Sequence, residues 1–479
     1  MPTITKHMIQ AGVYWIEIPE ADLRILCGCP ADAIKHLIKE GFVTSAEKNG
    51  VSFETGPNAV LLSDRLIQNG CLSNLSEFPV LHMFYNQGML VPRHPNNTGV
   101  KPILIGEKKQ VDNQMKYVYR GNYGLISENE YLEAGESKEF AQQNIKLKLR
   151  FARGRFSPPE ELMDAVYVER KFTKIRSGAR IRKLEDNIFE IRYRDDSVTV
   201  DLNLRNGRIY HPSYKLPKVR NASPHFGIVH IGEGNGWDQN SPCAGSLIVY
   251  KDKHFLVDAG PNILYSLRSL GIKPTEIEGI FFTHVHDDHF AGLYSLLSKN
   301  PDLRIYSTKV ILSTIIKKYS ALFGLVEREA AGSFRFLHRN LLMDQWNECY
   351  GMYVKPILSP HSIDTTIFVF RAKKDGRLAT YGHFSDITAL NWLKKMIVCD
   401  ENSCGITKEY FEYAKKNYRL KLTVKKIDVG GPVIHGDERD FIDDRSGRLV
   451  LAHVDKPLTA QQKQVGDKAA FGEMDTLIA

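Results

Sequence analysis

Apolar and polar positions alternate with a period of two in three neighbouring runs, residues 179–184, 188–193 and 197–204, and Asp195-Asp196 falls at a hairpin turn. These runs predict a small antiparallel sheet. Earlier in the chain, residues 31–40 place their apolar positions at helical spacing behind Pro30, and residues 21–26 read as a second short helix. The pair has the outline of a helix-turn-helix. Such pairs are commonplace in packed cores, and packing is the reading adopted here. Further on, apolar β-prone segments stop abruptly at polar residues: Ile280-Phe281-Phe282 before a histidine cluster, Phe255-Leu256-Val257 before Asp258, and Arg448-Leu449-Val450-Leu451-Ala452 before His453. Helices are predicted over residues 290–297 and 311–325. The mixture predicts an α/β chain in three parts: an α+β region over 1–145, a β-rich connector over 146–222, and a C-terminal region over 223–479. The residues after His453 suffice for a closing helix, and no internal repeat or low-complexity tract is evident in the sequence.

Composition adds little to this picture. The chain has 479 residues, 43% hydrophobic and 25% charged, which is ordinary for a globular protein. The net charge of +8 is concentrated in the connector, where residues 146–220 hold 19 Lys and Arg against 10 Asp and Glu. That strip suits an anionic partner, nucleic acid included, or simply a solvated hairpin face. No apolar run is long enough to span a bilayer, and residues 1–20 lack the plan of a signal peptide, so no membrane contact is expected. The 7 scattered cysteines do not form a disulfide framework, and a reducing cytoplasm is the expected setting. Cys27-Gly28-Cys29 is read as a packed thiol pair, and the aromatic, glycine-rich residues 117–124 as packing.

The chemistry sits in His284-Val285-His286-Asp287-Asp288-His289. Imidazole nitrogen and carboxylate oxygen are the ligands of zinc and its first-row neighbours, and packing has little use for so many in so short a span. His284 and His286 are two apart on extended chain, so both rings face one way. Asp288 and His289 fall in the first turn of the following helix and point elsewhere. One pair can grip one ion and the other pair a second.

His-x-His-x-Asp-His after an apolar strand resembles the metallo-β-lactamase fold superfamily of metal-dependent hydrolases. The resemblance implies an αββα sandwich over 223–479 with a metal site at one edge of its two sheets. It also implies further residues. Asp258, in Asp258-Ala259-Gly260, would support the histidines. His361, in Ser359-Pro360-His361-Ser362, would complete the first ion's imidazoles. Asp386 would bridge the two ions, although Ser385-Asp386 stands where the family shows Gly-Asp, and His383 is a supporting neighbour. His453 would close the second ion's site. His435, on the loop Gly430-Gly431-Pro432-Val433-Ile434-His435, competes for that last place; otherwise it is a candidate for substrate contact or general acid work.

Val229-His230-Ile231-Gly232-Glu233-Gly234 further resembles the ribonuclease Z branch, which includes tRNA 3′-processing nucleases and small cyclic-phosphate phosphodiesterases. No glycine- and proline-rich arm lies between His289 and His361, which favours a smaller phosphodiester over tRNA. The implied enzyme is a binuclear phosphodiesterase using a metal-bridged hydroxide, with Asp288 also orienting the attacking water and His435 or His383 supplying the leaving group's proton. Zinc is the expected metal, with manganese or iron as alternatives. His286, where di-iron relatives carry Glu, suits a redox-silent Lewis acid. The expected partners are an anionic phosphodiester and further copies of the chain in a homo-oligomer. The alternatives are an acyl hydrolase acting on a lactone or thioester, and a non-hydrolytic di-iron sensor or oxygen-binding protein with an N-terminal partner-binding domain.

Overall fold

The computed structural model describes residues 3–400, 403–431 and 433–479. The chain divides into two compact units. One runs to Gly121 and takes in Ser157–Ser213 and Lys318–Val326; the other comprises Asn122–Phe156, Tyr214–Lys317 and Glu327–Ala479.

The second unit is built on two sheets. In the first, the strands run in the order His338–Asn340, Arg304–Ser307, Ile277–Phe281, Lys253–Val257, Gly245–Tyr250, Phe226–Gly232 and Met474–Ile478. The pairs from Lys253–Val257 to Met474–Ile478 are antiparallel, and those from Lys253–Val257 to His338–Asn340 are parallel. The second sheet runs Asn347–Cys349, Met352–Ser359, Thr365–Lys374, Arg377–Phe384, Val424–Asp428, Arg448–Ala452. Its inner face meets the first sheet through one core that includes Phe226, Ile248, Phe281, Phe368, Phe370 and Tyr381, all fully or almost fully buried. Burial of each such side chain contributes about 1.5–3 kcal/mol. Its outer face packs Ile357, Ile367 and Phe384 against Tyr418 of the helix Lys408–Tyr418 and Leu422 beyond it. Two sheets face to face with helices outside make an αββα sandwich.

The first unit holds a six-stranded sheet in the order Thr5–Gln10, Val13–Ile18, Leu23–Cys27, Ala59–Leu61, Ile103–Gly106, Asp164–Tyr167. A four-stranded antiparallel sheet over 173–201 shares its core: Ile16, Ile25, Leu61 and Ile105 meet Ile181, Phe189 and Ile191. The strands predicted over 179–204 are therefore present, as Arg180–Glu185, Ile188–Tyr193 and Asp196–Asp201.

Three expectations need correction. Residues 21–26 are not a helix: after the 3-10 turn Pro19–Ala21, Leu23–Cys27 is a strand. Leu23, Ile25, Leu26 and Cys27 are buried on both faces, and a short continuous apolar run does not distinguish the two periods. The helix-turn-helix outline goes with it, although Ala33–Lys39 is helical as predicted. Beyond His453 the expected helix is present as Ala460–Val465, and the strand Met474–Ile478 follows it, beside Phe226–Gly232.

Most consequential, an internal repeat exists. In both units three antiparallel strands lead into three parallel ones, in unbroken sequence order across the sheet. In both, the third strand ends in a turn whose last residue takes a left-handed conformation, Asp32 and Asn262 each at φ 59°, before a seven-residue helix, Ala33–Lys39 or Ile263–Ser269. In both, the fifth strand feeds a long helix, Lys108–Tyr123 or Lys309–Phe323, and an antiparallel sheet follows. Where the second unit has Thr283 and then the histidine cluster, the first has Ser63-Asp64-Arg65-Leu66-Ile67-Gln68 and no histidine. There Ser63, Gln68, Asn74 and Asn187 bond to one another or to neighbouring groups in a buried amide and hydroxyl network.

Candidate metal centre

Every residue the sequence singles out as a ligand sits just past the end of a strand of the second unit, on one edge of the sandwich. His284, His286, Asp288 and His289 follow Ile277–Phe281; His361 follows Met352–Ser359; Asp386 follows Arg377–Phe384; and His453 follows Arg448–Ala452. Asp258, Asp386 and His453 hold left-handed backbone, at φ 65°, 48° and 59°. This bends the chain sharply at the strand end and turns each side chain into the cluster.

The donor atoms fall into two groups that share Asp386. In the first, His284 Nε2 lies 3.1 Å from His286 Nδ1, His361 Nε2 lies 3.4 Å from His286 Nδ1, and Asp386 Oδ2 lies 3.6 and 3.4 Å from His284 and His361. In the second, His289 Nε2 and His453 Nε2 are 3.3 Å apart. Asp386 Oδ1 is 3.0 and 3.2 Å from them, and Asp288 Oδ2 is 3.5 and 3.9 Å from them. Ligands 2.0–2.1 Å from one tetrahedral ion stand roughly 3.4 Å apart, so these separations fit a divalent metal in each group. The protonation states of the first group fit as well, whereas in the second burial pushes His289 down but Asp288, Asp386 and Asp258 outweigh it and hold that ring well above the usual imidazole range. Burial pushes the His284 pKa well down and that of His361 down to about 4, which keeps both rings in the neutral, ligating form. Burial alone would lift the Asp386 carboxyl, but His453 and His289 hold it well below the usual range.

Asp258 fixes the tautomers. Its Oδ2 accepts from His289 Nδ1 at 2.8 Å and from the Thr283 hydroxyl at 2.7 Å, and Thr283 Oγ1 in turn accepts from His284 Nδ1 at 2.9 Å. Both imidazoles therefore present a bare Nε2 to the cluster. Ser385, which stands where glycine was expected, donates to Asp386 Oδ1 at 2.8 Å. His383 lies outside the cluster: it is fully buried, with Nδ1 2.9 Å from the Tyr381 hydroxyl and Nε2 3.9 Å from Asp258. That buried place gives no route for protonating a substrate.

His453 sits among the donors, whereas His435 stands beside them. The His435 ring lies 6.0 Å from that of His361 and stacks 4.9 Å from that of His453, so it adjoins both groups. Asp428 organises it, a residue the sequence reading missed. Asp428 Oδ2 takes His435 Nδ1 at 3.0 Å, and its Oδ1 lies 3.3 Å from His453 Nδ1. The backbone N–H groups of Ile387, Gly430 and Gly436 hold the carboxylate in place. Burial pushes the His435 imidazole down, but Asp428 outweighs it and lifts the ring to about 9. A signal for Asp428 was present: Asp428-Val429-Gly430 ends its strand as Asp258-Ala259-Gly260 ends its own.

Close backbone approach sets the cluster's tolerance. A Cβ on Gly260 would stand 2.3 Å from the Asp288 carbonyl oxygen. Gly260→Ala is therefore expected to push the metal-motif helix outward and to cost at least about 2 kcal/mol of stability, read as a lower melting temperature together with weaker metal uptake.

Comparison with known proteins places these features. A family model for the anti-Pycsar protein Apyc1 matches residues 226–317. Ribonuclease Z of Nanoarchaeum equitans is 39% identical over 185 residues, 36% of this chain and 56% of that protein. The cGMP-dependent 3′,5′-cGMP phosphodiesterase A of Dictyostelium discoideum is 30% identical over 102 residues, 21% of this chain and 12% of that protein. The chain thus spans only part of the length of these relatives. The two facing sheets and the histidine cluster at their edge have the architecture of the metallo-β-lactamase fold. Among solved structures, the short form of human tRNase Z aligns with 53% of this chain and all of its own, at 18% identity and a TM-score of 0.36. Among the described residues, no helix is long and apolar enough to cross a membrane.

Proposed function

We propose that the protein is a metal-dependent phosphodiesterase. The observation that carries this reading is the pair of donor groups joined by Asp386, with His435 lying against both. Zinc is the ion the donor set suits best: five imidazoles and no thiolate in the two groups, and His286 in a place where an oxygen ligand would favour iron. When bound, the ions supply Lewis acidity and a water of lowered pKa. The chain's own residues do the rest. Asp288 and Asp386 bring negative charge that localises the ions at the open edge of the sheets. Asp428 grips His435 at Nδ1 and leaves Nε2 as the nitrogen for a proton on its way to the leaving oxygen.

A phosphodiester is favoured over an acyl substrate by the charge on the segments that follow Asp386 and His435 in the chain. A groove of about 580 Å³ is lined by Asn391, Trp392, Lys394, Lys395, Asp437 and Arg439. Its walls are the two segments that leave the site: Ala389 N–H donates to the His435 carbonyl at 3.1 Å, and Leu390 N–H to Asp440 Oδ2 at 2.8 Å. Arg439 is engaged by Asp437, so Lys394 and Lys395 provide the positive field. Charge of this kind draws an anion and is wasted on a neutral lactone. Changing both lysines to glutamine is expected to raise KM for a phosphodiester roughly tenfold with kcat within twofold, and to weaken its salt dependence. The names of the relatives, ribonuclease Z and a cyclic-nucleotide phosphodiesterase, point the same way.

The direct test is a substrate panel: bis(p-nitrophenyl) phosphate, cyclic nucleotides, RNA and a lactone, with His286→Ala as control. Phosphodiester turnover that disappears in the variant supports the proposal. Lactone turnover alone, or iron with a visible absorption band, defeats it.

A further inference from the structure

The loop that carries His361 is anchored by a buried charge cluster that the metal centre does not explain. Three residues beyond His361, Asp364 is almost fully buried, and so is its ion-pair partner Lys148, at side-chain exposures of 3% and 2%. Asp364 Oδ2 takes Lys148 Nζ at 2.9 Å and the Leu125 N–H at 3.0 Å, and Oδ1 takes the hydroxyl of Tyr131, itself fully buried. Lys148 Nζ also donates to the carbonyls of Tyr123, at 3.2 Å, and Leu125. The ammonium's three donors are thus matched to three acceptors. Gly124 makes room for this, since a Cβ there would stand 2.5 Å from Asp364 Oδ2. Lys148 and Tyr131 lie on Lys138–Phe151 and Glu128–Glu133, a helical pair within Asn122–Phe156, far from the metal ligands in sequence but part of the same unit.

We infer that Asp364 is a positioning residue for the first metal group: the helical pair 128–151, acting through Asp364, sets where His361 stands. The other ties of this segment show what is fixed. Ser359 Oγ donates to the Asp386 carbonyl at 2.8 Å, and Thr366 N–H donates to the Thr283 carbonyl at 2.9 Å, so the loop is held at both ends against residues of the centre. Only the middle of the loop, where His361 projects, depends on Asp364. A buried ion pair in a low-dielectric setting is a rigid anchor when every donor and acceptor is matched, and a disruptive one when a partner is removed. The second group, Asp288, His289 and His453, has no residue on this loop. The anchor should therefore act on one ion and spare the other.

This inference rests on the metal-dependent reading of the site, and the experiment separates the two. Zinc content and zinc affinity are measured in the full chain by elemental analysis and chelator competition, for the unaltered protein and for Asp364→Asn, Lys148→Met and Tyr131→Phe. The melting temperature of the metal-free form is recorded beside them. The expected result is two ions in the unaltered protein. In Asp364→Asn and Lys148→Met, affinity should fall about tenfold to a hundredfold for one ion and stay within twofold for the other. Tyr131→Phe removes a single hydroxyl and keeps the ion pair, so it serves if the charge variants fail to fold; its expected loss is about threefold to tenfold, again at one ion. Equal loss of both ions, or unchanged affinity at both, overturns the inference and leaves the phosphodiesterase reading standing. An unaltered protein that takes up no divalent ion overturns both.

Discussion

Asp386→Ala is expected to empty the metal centre and to lower phosphodiester turnover by about 10³-fold or more, some 4 kcal/mol of barrier. The expectation follows from how one carboxylate is shared. Oδ1 faces His289 and His453 at 3.0 and 3.2 Å, and Oδ2 faces His361 and His284 at 3.4 and 3.6 Å. Among the described residues, no other side chain spans both groups with two ligand atoms. Removing Asp386 takes one ligand from each ion at once and leaves five imidazoles crowded around a space where Asp288, on the second group's side, is the carboxylate that remains among the donors. Asp386→Asn provides the sharper comparison. The amide keeps the shape and offers one oxygen, so one ion should be retained and the other lost. The check is zinc per chain together with turnover of bis(p-nitrophenyl) phosphate. An Ala variant that keeps two ions and turns over within tenfold of the unaltered protein would show that Asp386 does not bridge.

How far the site could be read from sequence depended on how densely its chemistry is written. His284, His286, Asp288 and His289 stand out because four ligands crowd into one strand-to-helix turn. His361, Asp386 and His453 are single residues, legible only because each ends an apolar strand in the order the superfamily resemblance implies. Thr283 and Asp428 escaped notice. A lone threonine or aspartate at a strand end is common, and what sets these two apart is a hydrogen bond made across the fold: Thr283 to Asp258, and Asp428 to His435 and its loop. The helical pair 128–151 is invisible as part of the centre for the same reason, since Lys148 and Asp364 meet only in three dimensions.

The repeat was illegible for a different reason. What the two copies share is strand order and turn geometry, carried by Asp32 in one and Asn262 in the other, since either side chain tolerates left-handed backbone. Sheet topology constrains which positions are apolar without constraining which apolar residue fills them. At the place where identity would have betrayed the relation, Ser63-Asp64-Arg65 stands against Thr283-His284-Val285, so the chemical mark is absent from the first copy. One copy keeps its strand ends for metal, and the other fills the equivalent place with amides and hydroxyls that satisfy one another.

His435 offers the second large effect, and its size should depend on the leaving group. A general acid matters in proportion to how badly the departing oxygen needs a proton. An alkoxide, as in RNA or a cyclic nucleotide, needs one; p-nitrophenolate leaves without it. His435→Ala is therefore expected to lower kcat about 10²–10⁴-fold on a natural phosphodiester and less than about tenfold on bis(p-nitrophenyl) phosphate, with zinc content unchanged. The geometry argues for this split. His435 Nδ1 is taken by Asp428 at 3.0 Å and stands 3.8 Å from Asp386 Oδ2, whereas His453 Nε2 lies 3.2 Å from Asp386 Oδ1. Loss of His435 should then leave both metal groups intact. Asp428→Asn provides the complementary case. It loosens His435 and His453 together, so it should weaken one ion as well as turnover, and its effect should persist on the activated substrate. Equal losses on both substrates in His435→Ala, or loss of zinc from it, would move His435 from proton donor to metal ligand, and the ordering of the two histidines at this end of the site would be reversed.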